Sequence, residues 1–279
     1  VNPKFNDVLI LAGGILCSEG DEAEYLYVVT KGKLEVFKEP GSPIAILSKG
    51  EAFGEQAVLH GGRRGASVKA LEDSECLEIS GLALRQAFDN QPPFTQVVLN
   101  GLLLQLALSN ELRNTGSSLG CDASSLINFS LGDMTSGKSR LEIQTMIRSS
   151  EHKFTAVESL YLRIITADGL KTVVLNSIDD IIREKQKGNG LVVTRGELVM
   201  GTSFHNKVKF GPGAAFGIAE VIAEKDLVPT IEIVSSINAL TIPGPKAFVH
   251  IQNLNKGLQG VFRAVIMRTL NLDKIPRIF

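Results

Sequence analysis

Short apolar runs separated by glycine, proline and acidic turns dominate the first eighty residues of this 279-residue chain. Tyr25 to Val29, Lys33 to Phe37, Ile44 to Leu47, Ser67 to Leu71 and Glu75 to Ile79 are four or five residues long and contain β-branched or aromatic side chains. Runs of that length and composition predict strands. Spaced this closely, they predict an antiparallel jelly roll. The spacing then turns helical over Gly81 to Asp89 and Pro93 to Arg113, with Pro92 and Pro93 breaking the two helices apart. The longest apolar run, Val97 to Leu108, is interrupted by Asn100, Gly101 and Gln105 and is too short to span a bilayer. It reads as a core or lid helix, and its leucines also suit a partner helix or a second subunit. Another helical stretch, Pro245 to Leu272, lies near the end of the chain.

The same pattern occurs twice. VVTKGKL at Val28 to Leu34 returns as VVTRGEL at Val192 to Leu198, and GEAFGEQAV at Gly50 to Val58 as GAAFGIAEV at Gly213 to Val221. CLEI at Cys76 to Ile79 is answered by ALTI at Ala239 to Ile242. The offsets are 164, 163 and 163, so the chain carries two copies of one module. The expected class is mainly β with helices (α+β): two jelly rolls, each with flanking helices. The first module is placed at 1–113 and a Ser/Gly-rich linker at 114–140, with the second module at 141–279. Residues 141–170 are read as the helical lead-in and first strand of the second copy.

Composition narrows the possible functions. With 29 basic and 30 acidic residues there is no global field to favour nucleic acid or an anionic membrane. Cys17, Cys76 and Cys121 are widely spaced and odd in number, which suggests a reducing, cytoplasmic setting without a disulfide framework or zinc site. His60, His152, His205 and His250 lack metal-ligand spacing, and no metal or catalytic residue is assigned. No secretory signal is visible, and the start at Val1 suggests a piece of something longer.

The chemistry concentrates in FGEQAVLHGGRRGASVKA, Phe53 to Ala70. Glu55 stands nine positions before Arg64, among glycines and small residues. A buried guanidinium presents a planar fork of donors to a phosphate. Glycine and alanine let backbone N–H groups close on the same anion. The carboxylate can accept from a sugar hydroxyl, so the stretch reads as a pocket for a small phosphorylated ribose. The pattern F-G-E-x-A-x-L with R-x-A-x-V-x-A resembles the phosphate-binding cassette of cyclic-nucleotide-binding domains. The resemblance implies that Glu55 holds the ribose 2′-hydroxyl and Arg64 the cyclic phosphate. Gly54, Gln56, Ala57, Gly65 and Ala66 would complete the site. It also implies a last helix packed over the base. The ligand would be cAMP or cGMP, with a lean to cAMP because Gly65 has no hydroxyl to reach a guanine.

The second copy keeps the turn and loses those groups. Aligned on its F-G pair, FGIAEVIAEKDLVPTIEI puts Ile218 where the first copy has Glu55 and Leu227 where it has Arg64. Pro229 removes a backbone donor close by. A cyclic phosphate buried there would have no charge partner, so this module is expected not to bind one.

Three further patterns are set aside. GDMTSGKS at Gly132 to Ser139 has P-loop spacing but sits in the linker, and a P-loop hydrolase from 115 onward is the least favoured alternative. GSSLG at Gly116 to Gly120 has nucleophile-elbow spacing without a preceding strand. RRGAS at Arg63 to Ser67 looks like a kinase pseudosubstrate, but Arg64 and Ala66 already belong to the cassette, and Arg63 is read as solvated.

Tandem modules of this kind resemble the regulatory subunits of cyclic-nucleotide-dependent protein kinases. That resemblance implies a regulatory protein, not an enzyme. It would sense cyclic nucleotide in its first module and signal by helix rearrangement to a kinase catalytic subunit or domain, without nucleic acid or a membrane span. A scaffold in which neither module binds is the rival. The ending LNLDKIPRIF looks like the lead-in to a further module.

Overall fold

The computed structural model describes residues 5–38, 42–60, 63–115, 135, 137–149, 154, 156–201, 207–226 and 230–272. The chain divides into two compact units, Val1–Gln91 and Pro92–Phe279.

In the first unit, β1 (Phe5–Ile10), β2 (Ile15–Cys17), β3 (Tyr25–Lys31), β4 (Lys33–Lys38), β5 (Ser42–Ser48) and β6 (Ala52–Phe53) precede helix α1 (Glu55–His60). Strands β7 (Ser67–Ala70) and β8 (Ser74–Ser80) then lead into α2 (Gly81–Asp89). Two antiparallel sheets result, in the orders β1-β8-β3-β6 and β2-β7-β4-β5. Alternation along the strands turns Leu34, Val68, Ala70 and Cys76 inward with Val29 and Leu47, giving one apolar core. The strands β1 and β2 lie before the first run recognised from sequence, because exposed Leu9, Leu11 and Ile15 blur their alternation.

The second unit repeats the plan. It opens with α3 (Pro93–Thr115), α4 (Arg140–Arg148), α5 (Ala156–Ile165), β9 (Lys171–Leu175) and α6 (Ile178–Gln186). The roll continues with β10 (Asn189–Arg195), β11 (Leu198–Gly201), β12 (Lys207–Phe210), β13 (Ala215–Phe216), α7 (Ile218–Ile222), β14 (Thr230–Ile233) and β15 (Ile237–Pro243). Helices α8 (Gly244–Gln252) and α9 (Lys256–Leu270) follow. Its four-stranded sheet runs β13-β10-β15-β9, which read in reverse matches the β1-β8-β3-β6 sheet of the first unit, and the other is the three-stranded β12-β11-β14.

Detailed contacts repeat as well. Gly50 N–H donates to Val29 O at 2.7 Å and Gly213 N–H to Val193 O at 2.8 Å. The hydroxyl of Thr30 donates to Glu75 O, and that of Thr194 to Asn238 O, both at 3.0 Å. Both central strands bulge at the same place, Val29/Lys31 and Val193/Arg195. A bulge retained in both copies is a built feature of the fold.

Three differences from the sequence reading concern helices. Pro245 to Leu272 is two helices, because the Asn255 side chain accepts from Leu258 N–H and starts α9 afresh. In the second unit α6 follows β9 where the first unit has β2, and its start is fixed by a capping box of Ser177 and Asp180. Third, α3, read with the first module, is grouped with the second unit, where it packs on α5, α7, α8, α9 and β13. Pro93 opens it and leucines carry it, with Leu102, Leu103, Leu104 and Leu106 all at 1 % exposure or less. A helix apolar on every side must be surrounded.

Candidate functional site

The first cassette is built from the turn between β6 and α1. Phe53 pairs with Tyr27 across the sheet, and their rings stack with centroids 5.4 Å apart. Gly54 then takes φ +85°, which swings the chain from strand to helix. A side chain at this position is excluded for a second reason, since a Cβ would stand 2.1 Å from Nη1 of Arg64. Glu55, the first residue of α1, is 3 % exposed, and Ala57, Val58 and Leu59 bury the helix against the roll.

Arg64 is held by its backbone as firmly as by its side chain. Its N–H donates to Asp21 O and its carbonyl accepts from Gly20 N–H, both at 2.8 Å. The guanidinium donates through Nη2 to Tyr25 O at 2.6 Å and lies 5.4 Å from the centre of the Tyr27 ring. The residue is 6 % exposed, yet Nε and Nη1 are buried without an acceptor. A buried cation with two unmet donors is costly unless an anion completes it.

A cavity of about 270 Å³ opens at this arginine, lined by Leu16, Cys17, Tyr25, Tyr27, Asp21, Glu22, Glu24 and Glu78. The volume lies just below the usual range for small-molecule sites, roughly 300 Å³ upward. Burial pushes the Cys17 thiol pKa up, with Arg64 pulling it the other way. Burial and then the charge of Glu78 push Tyr27 up to about 12. Both therefore stay neutral at physiological pH. Arg64 is then the one cation of the lining, facing four carboxylates.

Of the residues marked from sequence, Arg64 lines the cavity, and Gly54 lies beneath its guanidinium beside Glu55. Gln56 and Ala57 continue α1, Gly65 is exposed and Ala66 half-buried. Arg63 is exposed, as expected, and donates to Gly20 O at 2.8 Å. Sequence reasoning missed Tyr25 and Tyr27, although their spacing of two on a strand places them on one face.

The second cassette has the same turn and different contents. Gly217 takes φ +75° ahead of α7, and Ile218, in the place of Glu55, is fully buried. Leu227 and Pro229 lie outside the described residues. What meets the first turn of α7 is Gln105 of α3. Its Oε1 accepts from Ile218 N–H at 3.0 Å and Ala219 N–H at 2.9 Å, and its Nε2 donates to Glu220 Oε2 at 2.6 Å. Burial raises the pKa of Glu220, and the hydrogen bond from Gln105 opposes the rise. Gln105 was read from sequence only as an interruption of an apolar run. Its signal was chemical: a buried amide among leucines must find partners.

The P-loop-like segment reads differently in the structure. The Ser139 hydroxyl accepts from Glu142 N–H, and the Glu142 carboxylate accepts from Ser139 N–H, a capping box that starts α4. Gly132 to Met134 and Ser136 lie outside the described residues, as does GSSLG at 116–120. Among the described residues no cluster could hold a metal ion, and no helix is long and apolar enough to cross a membrane.

Residues 8–91 match the family model of the cyclic nucleotide-binding domain, so such a domain is present in the first unit. The chain is similar to the cAMP-dependent protein kinase regulatory subunit of Dictyostelium discoideum, with 26 % identity over 132 residues, 46 % of this chain and 40 % of that protein. It is also similar to human cyclic nucleotide-gated channel alpha-2, 31 % identical over 102 residues, 34 % of this chain and 15 % of the channel. Among solved structures, an EAL enzyme in its cAMP-bound form aligns at 27 % identity and a TM-score of 0.33, over 40 % of this chain and 33 % of that one. The chain thus spans less than half the length of these relatives.

Proposed function

We propose that the first unit senses cAMP, with cGMP as the weaker ligand, and that the protein regulates a partner of the protein-kinase type. The observation that carries this reading is Arg64, buried with Nε and Nη1 unmet at the wall of a cavity. In it Arg64 takes the cyclic phosphate and Glu55 the ribose 2′-hydroxyl. Gly54, Gln56, Ala57, Gly65 and Ala66 are the backbone positions of the cassette that complete the proposed site. The carboxylates of the cavity add selectivity: one arginine balances the single charge of a cyclic phosphodiester, whereas a polyphosphate would face Asp21, Glu22, Glu24 and Glu78 with charge to spare. Ligand capture shifts the population toward one arrangement of the helices that follow β8, and it does so only through its differential affinity for the two arrangements. The regulatory similarity to the Dictyostelium subunit supports a kinase-type partner.

Calorimetry with cAMP, cGMP and ATP on the wild type and Arg64→Ala tests the reading. Binding of cAMP that falls by roughly a thousandfold in the variant is expected, since an unmatched buried phosphate costs about 4 kcal/mol. Equal cAMP affinity in the two proteins, or binding of ATP alone, overturns it.

A further inference from the structure

We infer that α3 is the resident occupant of the second cassette, with Gln105 making at α7 the contacts that a solute ligand would otherwise make there. The first turn of a helix leaves backbone N–H groups without intrahelical acceptors. In α7 two of these, Ile218 and Ala219, donate to one amide oxygen of Gln105. The other end of that amide is engaged by Glu220, so Gln105 closes a three-bond bracket on the helix. Gln105 and Glu220 are 3 % and 5 % exposed, which leaves the bracket dry.

The rest of α3 is shaped for this seat. Gly101 lies one turn before Gln105 on the same face of the helix. A Cβ on Gly101 would stand 2.9 Å from Cδ1 of Ile218 and 2.8 Å from Cδ1 of Ile242. The glycine therefore lets the helix backbone settle onto the isoleucine that replaces the cassette carboxylate. Further along, Leu108 joins the apolar core of the roll with Leu191, Val193 and Phe216. The exchange of Glu55 for Ile218 between the copies thus gives α3 an apolar surface to dock on. The state of the second module is accordingly set by whether α3 is seated, and no dissolved anion competes for those two amides while it is.

Hydrogen exchange at Ile218, Ala219 and α3, measured on the whole 279-residue chain, tests this. Gln105→Leu should speed exchange at both amides and along α3 by at least about tenfold. Gln105→Glu should do the same, because its carboxylate would face that of Glu220. Combining Gln105→Glu with Glu220→Gln restores every donor–acceptor pair and should return exchange to within about threefold of wild type. That rescue supports the inference even if Gln105→Leu fails to fold. Unchanged protection of Ile218 and Ala219 in a folded Gln105→Leu protein overturns it, and so does a double variant that behaves like the single Gln105→Glu. Phosphate or cAMP slowing exchange at those amides in the wild type would also overturn it.

Discussion

Two cassettes in one chain share a backbone and differ in how their polar groups are satisfied. Each turns from strand to helix through a glycine with positive φ, Gly54 in one and Gly217 in the other. The first leaves a buried guanidinium with two donors unmet, and the second meets its helix amides with a side chain of the same polypeptide. The contrast separates what the fold requires from what the ligand requires. Turn, bulge and sheet order persist in both copies, so they belong to folding. Arg64 and its unmet donors exist in one copy, and the proposed function assigns them to binding.

The largest effect should come from forcing the second cassette toward the first. Ile218→Glu buries a carboxylate at a fully enclosed position against α3 and should cost on the order of 4 kcal/mol in urea unfolding, without gaining cyclic-nucleotide binding. A stable variant that binds cAMP would erase the distinction between the two. Next comes Arg64→Lys, where a single ammonium replaces the fork over Gly54. Affinity for cAMP should fall by roughly a hundredfold, about 2–3 kcal/mol, while thermal unfolding changes little. Gly54→Ala follows: positive φ and the Arg64 contact both oppose a Cβ, at about 1–2 kcal/mol of stability. Gly65→Ala, with open space around its Cβ, should stay within about 0.5 kcal/mol. Equal losses in those two variants would show that the cradle is not specifically shaped around Arg64.

The smallest effect is in pH dependence. The folded-state pKa of Glu220 lies above its ordinary 4.5, chiefly because of burial. Protonation of this group therefore favours the folded form, fully so below 4.5, and that contribution is lost as pH rises through the raised value. Urea titrations from pH 4.5 to 8 should show this decline in the wild type and a flatter profile in Glu220→Gln. Identical profiles would remove Glu220 from the account of the second cassette.

The repeat, the rolls and the first cassette were legible in the sequence because their determinants are local. Positive-φ glycines, a bulge and a short helix after Phe-Gly imprint themselves within a few residues. The role of Gln105 was not legible, since its partner Glu220 lies 115 residues away and nothing near position 105 names a partner. The destination of α3 was hidden for the same reason. Its proline break before Pro93 marks where the helix starts and carries no information about which roll it covers. Tyr25 and Tyr27 escaped notice because a strand aromatic serves a core and a pocket wall equally well.

The seating of α3 bears on how this chain could be divided. Cutting after residue 113, where the composition turns to serine and glycine, would strip the second roll of a leucine-covered helix and bare the amides of Ile218 and Ala219. Such a truncation would expose a greasy trough and tend to self-associate. A cut at Pro92 instead carries the plug along with the roll it stoppers.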